Sequence, residues 1–331
     1  MLAAVALVVG VLLAAPALSA ENAVSFYLPG SHGPLAGVTP PEGVYFENDA
    51  YYYYGKIGGN VQTPLNGNLA INVKGKVWFE LASFLWVTPA DILGGDLALS
   101  VAVPYGWPGT SASIVVNSPR FSRPIGVTVR DTLSTVGDPI VGALLGWKSG
   151  NFHWLVGTTA NVPVGDYRPD DLVNVSLNHW AADFYGAFTY LDPAVGIDLS
   201  GTAGFIVNGQ NPATDYRTGN EFHADLTLSK SLTKDLSIGA MAFYYQQVTG
   251  DTGPGATAGP FKGKTTGVGG FLGYNFTLGQ LPVSTRIKVY REIDVENRPE
   301  GAGAYFTVSF PLYVVTKAAT AEQHAPIVRK P

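Results

Sequence analysis

Glu221, His223 and Asp225 form the most chemically suggestive trio in the chain. A spacing of two in an extended strand puts all three on one face, with Phe222, Ala224 and Leu226 on the other. Two carboxylates flanking an imidazole favour its cationic form. The trio admits three uses: a polar wall network, a divalent-ion site, or acid–base chemistry. The wall network is the expected use. Hydrolysis through His223 would need a serine oxygen beside it, and the sequence marks out no such serine. There is no Gly-x-Ser-x-Gly elbow, His-Glu-x-x-His pair, phosphate loop or cysteine ligand. No catalytic residue, metal or cofactor is therefore assigned.

A second charged row supplies counter-charges. Arg286, Lys288, Tyr290, Glu292 and Asp294 share one face against Ile287, Val289 and Ile293. In residues 69–81 an uncharged face, Leu69 to Leu81 at every second position, opposes Lys74, Lys76, Trp78 and Glu80. The expectation is that the uncharged face meets lipid. Lys74, Lys76 and Glu80 then join Glu221, His223, Asp225, Arg286, Lys288 and Glu292 as the polar lining of a wet lumen. Mixed charge of this kind argues against strong selection for small ions of one sign, and most of the groups are expected to pair across strands.

Positioning such rows takes many strands. Period-two segments predict twelve, at about 43–56, 68–86, 96–105, 138–147, 151–163, 178–191, 194–207, 220–231, 235–248, 263–276, 282–295 and 302–315. Links after the even-numbered strands are tight, such as Lys148-Ser-Gly150 and Asp192-Pro193. Those after the odd-numbered strands are mostly longer, notably 106–137, 164–177, 208–219 and 249–262. One-sided loop length predicts an all-β, closed antiparallel transmembrane barrel with short periplasmic turns and long extracellular loops. Closure is forced in hydrocarbon, where an unpaired backbone group costs several kcal/mol.

The ends of the chain place it in a cell. Residues 1–20 are apolar, finish on small residues and precede Glu21, which reads as a secretory signal peptide. Residues 21–42 form a Pro/Gly-rich segment, 43–315 the barrel, and 316–331 a polar tail. The even strand count puts both termini in the periplasm of a Gram-negative cell, with the barrel in the outer membrane. Forty glycines, 33 tyrosines and phenylalanines together, and only 14% charged residues suit a turn-rich sheet with aromatic girdles. A net charge of −5 without a basic patch predicts no nucleic-acid partner.

Three segments bear on the width of the passage. Tyr45 and Tyr51–Tyr54 should face alternately in and out near one membrane interface. Pro29 to Gly43 either plugs or lines the lumen. The loop 106–137 could fold inward as a constriction or cover the mouth, and for each of the three segments a girdle or surface-loop role is expected over direct contact with a substrate. Pro311, in the last strand, should sit at the strand end or off the ladder.

Residues 211–225 (NPATDYRTGNEFHAD), 244–255 (YYQQVTGDTGPG) and 290–301 (YREIDVENRPEG), with Gly137-Asp138, Gly146-Trp147 and Val162–Tyr167, resemble the MetA-pathway phenol-degradation family of outer-membrane channel proteins. The resemblance spans nearly the whole mature chain. Asp215, Tyr216, Gly219, Glu221, His223 and Asp225 match one family stretch, Gln246, Gln247 and Asp251 a second, and Arg291, Glu292, Arg298 and Gly301 a third. It implies a monomeric barrel that passes bulky, rather hydrophobic small molecules, aromatic compounds among them, by passive diffusion, without cofactor or energy coupling. It also implies outer-membrane lipid, lipopolysaccharide and the barrel-assembly machinery as partners. The rival readings are an outer-membrane hydrolase using His223 and a structural or adhesive barrel with an occluded lumen.

Overall fold

The computed structural model describes residues 20–21, 25–62, 68–107, 109–117, 125–132, 134–169, 174–257 and 259–315. Side chains are described for all of these except 57–62, 68–73, 110–117 and 125–132. The expected leader, apart from Ala20, and the tail 316–331 lie outside the described residues.

The alternating segments form β1 (Gly43–Gln62), β2 (Asn68–Ile92), β3 (Gly95–Gly106), β4 (Gly109–Asn117), β5 (Ile125–Thr132), β6 (Thr135–Val136), β7 (Ile140–Ser149), β8 (Phe152–Asn161), β9 (Ala181–Asp192), β10 (Ile197–Asn208), β11 (Glu221–Ser231), β12 (Leu236–Gln247), β13 (Lys264–Leu278), β14 (Leu281–Glu296) and β15 (Glu300–Val314). All pairs are antiparallel. Twelve strands, β1 to β3 and β7 to β15, close a barrel by pairing β15 with β1. These are the twelve strands expected from the period-two pattern, with ends moved by a few residues.

Tight turns gather at one end. Between β2 and β3, Leu93 and Gly94 both take left-handed backbone (φ 54° and 74°), the geometry a two-residue hairpin needs to match strand twist. The connections 162–180, 209–220 and 248–263 lie at the other end.

β1 and β2 outrun the barrel. β1 stays with β15 only to Lys56↔Glu300, yet continues against β2 to Gln62↔Asn68. β4 pairs with β2 between Asn68 and Lys76, and β5 pairs with β4. The described part of the segment 106–137 is thus mostly sheet. Its strands β4 and β5 extend the sheet beyond the rim, because β2 leaves an unpaired edge there that must be covered.

At the short-turn end the wall parts. β14 bonds to β15 only from Ser284↔Ser309 to Arg291↔Ala302. Beyond Ser309, β15 follows β1 alone and β14 follows β13 alone. Pro311 occupies this stretch, opposite Tyr45 at a register shift.

The lumen is filled rather than open. Tyr51, Phe79, Met241, Phe243, Phe271, Tyr290 and Tyr305 form one buried cluster, and Tyr27, Ala181, Ile206 and Tyr245 a second. Large inward rings need space on adjacent strands, and glycine provides it. A Cβ at Gly303 would overlap the Tyr290 ring, and one at Gly267 the Phe243 ring.

Candidate functional site

The luminal site is built where strands β9 to β12 face the N-terminal segment. Period two turns Glu221, His223 and Asp225 inward on β11, and Glu221 and His223 are fully buried. The opposite face carries Leu226 and Leu228, about half exposed on the barrel exterior. Asp183 on β9 reaches across Gly204 of β10 to His223, with Oδ2 3.0 Å from Nε2. Gly204 makes this contact possible, since a Cβ there would overlap the imidazole and lie 2.7 Å from Asp183 Oδ1.

The N-terminal segment runs the length of the lumen and supplies the other half of the site. Near the long loops, Ser25 Oγ donates to Glu221 Oε2 at 2.6 Å. Tyr27 OH donates to the Asp225 carboxylate, 2.9 Å from either oxygen, and its ring stacks on His223 at 4.4 Å. Further down, Lys288 Nζ donates to Gly30 O at 2.9 Å and Ser31 O at 2.6 Å. Tyr305 OH donates to Pro29 O. His32 stacks parallel to His223 at 5.8 Å. Leu35 N–H donates to Asp198 and Ser200, and Gly37 N–H to Thr189, before the chain enters β1.

This path separates the two ends of the described chain. Ala20 and Glu21 lie among the long loops, whereas Gly43 and Val314 pair at the short-turn end. The N-terminal part of the described chain therefore does not share an end with its C-terminal part. An even strand count fixes only where the barrel strands start and finish, and says nothing of a segment that doubles back through them.

One correction concerns β2. Phe79 is buried in the aromatic cluster with Val77 and Leu81 packed on it, while Trp78 is 43% exposed. Lys74, Lys76 and Glu80 share the face of Trp78 and so point out of the barrel. Here the apolar row fills an aromatic lumen instead of meeting lipid. Lys74 and Lys76 are exposed at the rim, where β2 begins to pair with β4. Glu80 accepts from Asn48 Nδ2 at 2.6 Å on the outer face.

The remaining charged row lies inward. Arg286 is half-buried, with the carboxylates of Glu47, Asp49 and Asp198 as its electrostatic neighbours. Lys288 and Glu292 are buried. Glu292 accepts from Tyr53 OH at 2.8 Å and from the Gly301 N–H at 2.6 Å. Tyr51 and Tyr53 face inward, and Tyr52 and Tyr54 outward.

The family-motif residues tie the long loops together. Asp251 accepts from Gln247 Nε2, the Gly219 N–H and the Ala20 N–H. Asp215 takes a left-handed backbone (φ 55°) and accepts from Gln210. Tyr216 bridges to Asn211, and burial followed by a hydrogen bond with Asp251 raises its phenol well above the ordinary value. Arg298 lies over the Tyr245 ring at 4.4 Å. Burial alone would lower its guanidinium, but Tyr245, Glu221 and Glu292 around it raise it above its ordinary value. Gln246 pairs with Tyr244 OH, and Arg291 with Glu300 on the exposed rim.

Sequence reasoning missed Asp183, Tyr27 and His32, and marked Asp138 only as part of a family motif. Asp183 was legible as an inward position of a period-two strand with Tyr185. Tyr27 and His32 lie in irregular chain, where no periodicity exists. Asp138 is buried and accepts from Asn161, Gly165, Ser176, Leu177 and Asn178, folding the loop 162–180 around one carboxylate.

Residues 57–308 match the family described as "Putative MetA-pathway of phenol degradation". The chain belongs to this family. A search of curated proteins finds no match. Among solved structures, the fold is similar to the COG4313 outer membrane channel from Pseudomonas putida F1, at 15% identity and a TM-score of 0.59, over 86% of this chain and 99% of that one. A FadL homologue from Pseudomonas aeruginosa is similar at 9% identity and a TM-score of 0.39, over 81% of this chain and 89% of that one. The likeness to the first of these shows the fold, a closed antiparallel β-barrel.

Proposed function

We propose that the protein is an outer-membrane channel for passive diffusion of bulky, hydrophobic or aromatic small molecules, gated by its own N-terminal segment. The observation that carries the reading is the segment itself. It fills the lumen from Ser25 to Gly37, held to the wall by side-chain hydrogen bonds, opposite an aromatic cluster that suits planar apolar solutes. A cavity of about 730 Å³ at the short-turn end supports an exit. It is lined by Leu35 and Val38 of the segment and by Phe276, Val283, Phe310 and Pro311 where β14 and β15 part.

On this reading the short turns face the periplasm and the long loops the outside, so a chain cleaved after Ala20 begins at the outer mouth. The protein works as a monomer in outer-membrane lipid and lipopolysaccharide after insertion by the barrel-assembly machinery. It is not an enzyme. Among the described residues, the hydrogen bond of His223 goes to Asp183 and not to a serine hydroxyl. The test is uptake of aromatic and sugar solutes by liposomes carrying the full-length protein or a variant lacking residues 21–37. Faster aromatic uptake by the truncated barrel is expected. Equal exclusion of all solutes by both forms, each folded, would favour the structural barrel.

A further inference from the structure

The polar centre of the lumen contains a grouping that neither plugging nor solute passage requires. His32, His223 and Asp225 each offer one ligand atom, and these atoms lie within 4.8 Å of one another. His223 is fully buried, and its Nδ1 has no hydrogen-bond partner among the described residues. A buried nitrogen lone pair without a partner is costly, and a wall built only for packing has no reason to keep one.

We propose that the lumen holds a binding site for a divalent metal ion of the zinc type, made by His32, His223 and Asp225. Two imidazoles and one carboxylate form a donor set that zinc and its neighbours in the first transition row accept, with a fourth position left for water. His223 is prepared for the role by Asp183. With Nε2–H donating to Asp183 Oδ2 at 3.0 Å, the free lone pair is on Nδ1. A carboxylate that holds a histidine in the ligating tautomer is the usual outer partner of a metal-bound imidazole. Asp183 is thus a positioning residue, and its own Oδ1 is also buried without a partner among the described residues.

The charge balance suits a dication. Asp225 and Asp183 bring two carboxylates to the site. The nearby ammonium of Lys288 is committed to the carbonyls of Gly30 and Ser31. Tyr27 OH, shared between both oxygens of Asp225, can stay on one while the other turns to the metal. Bringing both nitrogens onto a common centre requires the His32 ring, now parallel to His223 at 5.8 Å, to turn out of that stack. A bound ion would link the N-terminal segment, through His32, to β11.

The inference uses the site's geometry and not the channel reading, and its test reads metal rather than transport. Full-length protein without a histidine tag is stripped with a chelator and titrated with zinc chloride by calorimetry. Cobalt(II) is then used for the visible spectrum. One tight equivalent and a tetrahedral cobalt band are expected. His32→Gln and His223→Gln should each weaken binding at least about 100-fold, and Asp183→Asn roughly 10- to 100-fold. Glu300→Gln, on the exposed rim, should leave the affinity unchanged. His32→Gln removes a side chain outside the barrel wall, so its folding is not at issue. The proposal is overturned if wild type and the His32→Gln variant bind zinc alike, or if cobalt shows no tetrahedral band.

Discussion

Lys288→Met isolates the strongest link between the N-terminal segment and the wall. The ammonium donates to two backbone carbonyls, at 2.9 and 2.6 Å, and lies 4.3 Å from the centre of the Tyr305 ring. Hydrogen bonds to a charged group are worth about 1.5–3 kcal/mol each, and the cation–ring contact about 1 kcal/mol. The gross loss is therefore on the order of 4–7 kcal/mol. Against it stands the desolvation of a buried ammonium, several kcal/mol, which methionine does not carry. A net weakening of about 2 kcal/mol remains, or about 30-fold in the released population of the segment. Hydrogen exchange at residues 27–37 should accelerate by that factor, and aromatic uptake into liposomes should rise toward the level of the barrel lacking residues 21–37. Lys288→Gln, which keeps a neutral donor, should fall between wild type and methionine. Unchanged exchange and unchanged uptake in a folded Lys288→Met barrel would refute the gate.

Three further outcomes follow from the packing. Gly204→Ala should cost about 1–3 kcal/mol by forcing the His223–Asp183 pair apart, whereas Gly186→Ala, whose added carbon meets nothing closer than 3.8 Å, should be near neutral; thermal unfolding in detergent compares them. Asp138→Ala removes the acceptor of five hydrogen bonds and should loosen the loop 162–180 by about 3–5 kcal/mol, seen as local hydrogen exchange with the strands still protected. The same loop should weaken in acid. Burial holds the His179 imidazole below its ordinary value, so the opened loop takes up a proton first as pH falls below about 6.5. Closure is strongest above that pH and declines toward the lowered value, and His179→Gln should flatten the dependence.

Strand number, strand order and loop asymmetry were legible because a closed sheet must repeat a period of two and must turn at every strand end. The inward placement of Glu221, His223 and Asp225 was legible for the same reason, with Leu226 and Leu228 marking the outer face. The partners of the trio were not. Tyr27, Ser25 and His32 lie in irregular chain whose course is set by hydrogen bonds made nearly two hundred residues away in sequence, as Tyr27 is to Asp225. Nor did spacing reveal that a glycine at 204 would let Asp183 reach His223 across a strand.

The misplacement of Lys74, Lys76 and Glu80 shows where the period-two argument fails. It identifies two faces but not which one is outside, and it ranks them by charge on the premise that a lumen is wet. In β2 that premise does not hold. The inward face carries Val77, Phe79 and Leu81 because it completes an aromatic cluster with Tyr51 and Tyr290, while the outward face carries Trp78, Phe84 and Trp86 for lipid. Within the barrel wall both faces are mainly apolar, with Glu80 paired to Asn48 on the outer one. The lysines fall at the rim, where β2 begins to pair with β4 and where an ammonium on the outer face meets water. The wall is thus graded: β1, β2 and β12 to β15 turn aromatic rings inward together with Glu47, Asp49, Arg286, Lys288 and Glu292, and β9 to β11 turn carboxylates and histidine inward. The segment from Ser25 to Gly37 touches both. It is held by polar bonds on both sides while it covers the aromatic cluster. Releasing it would expose that surface to solute without taking the barrel apart.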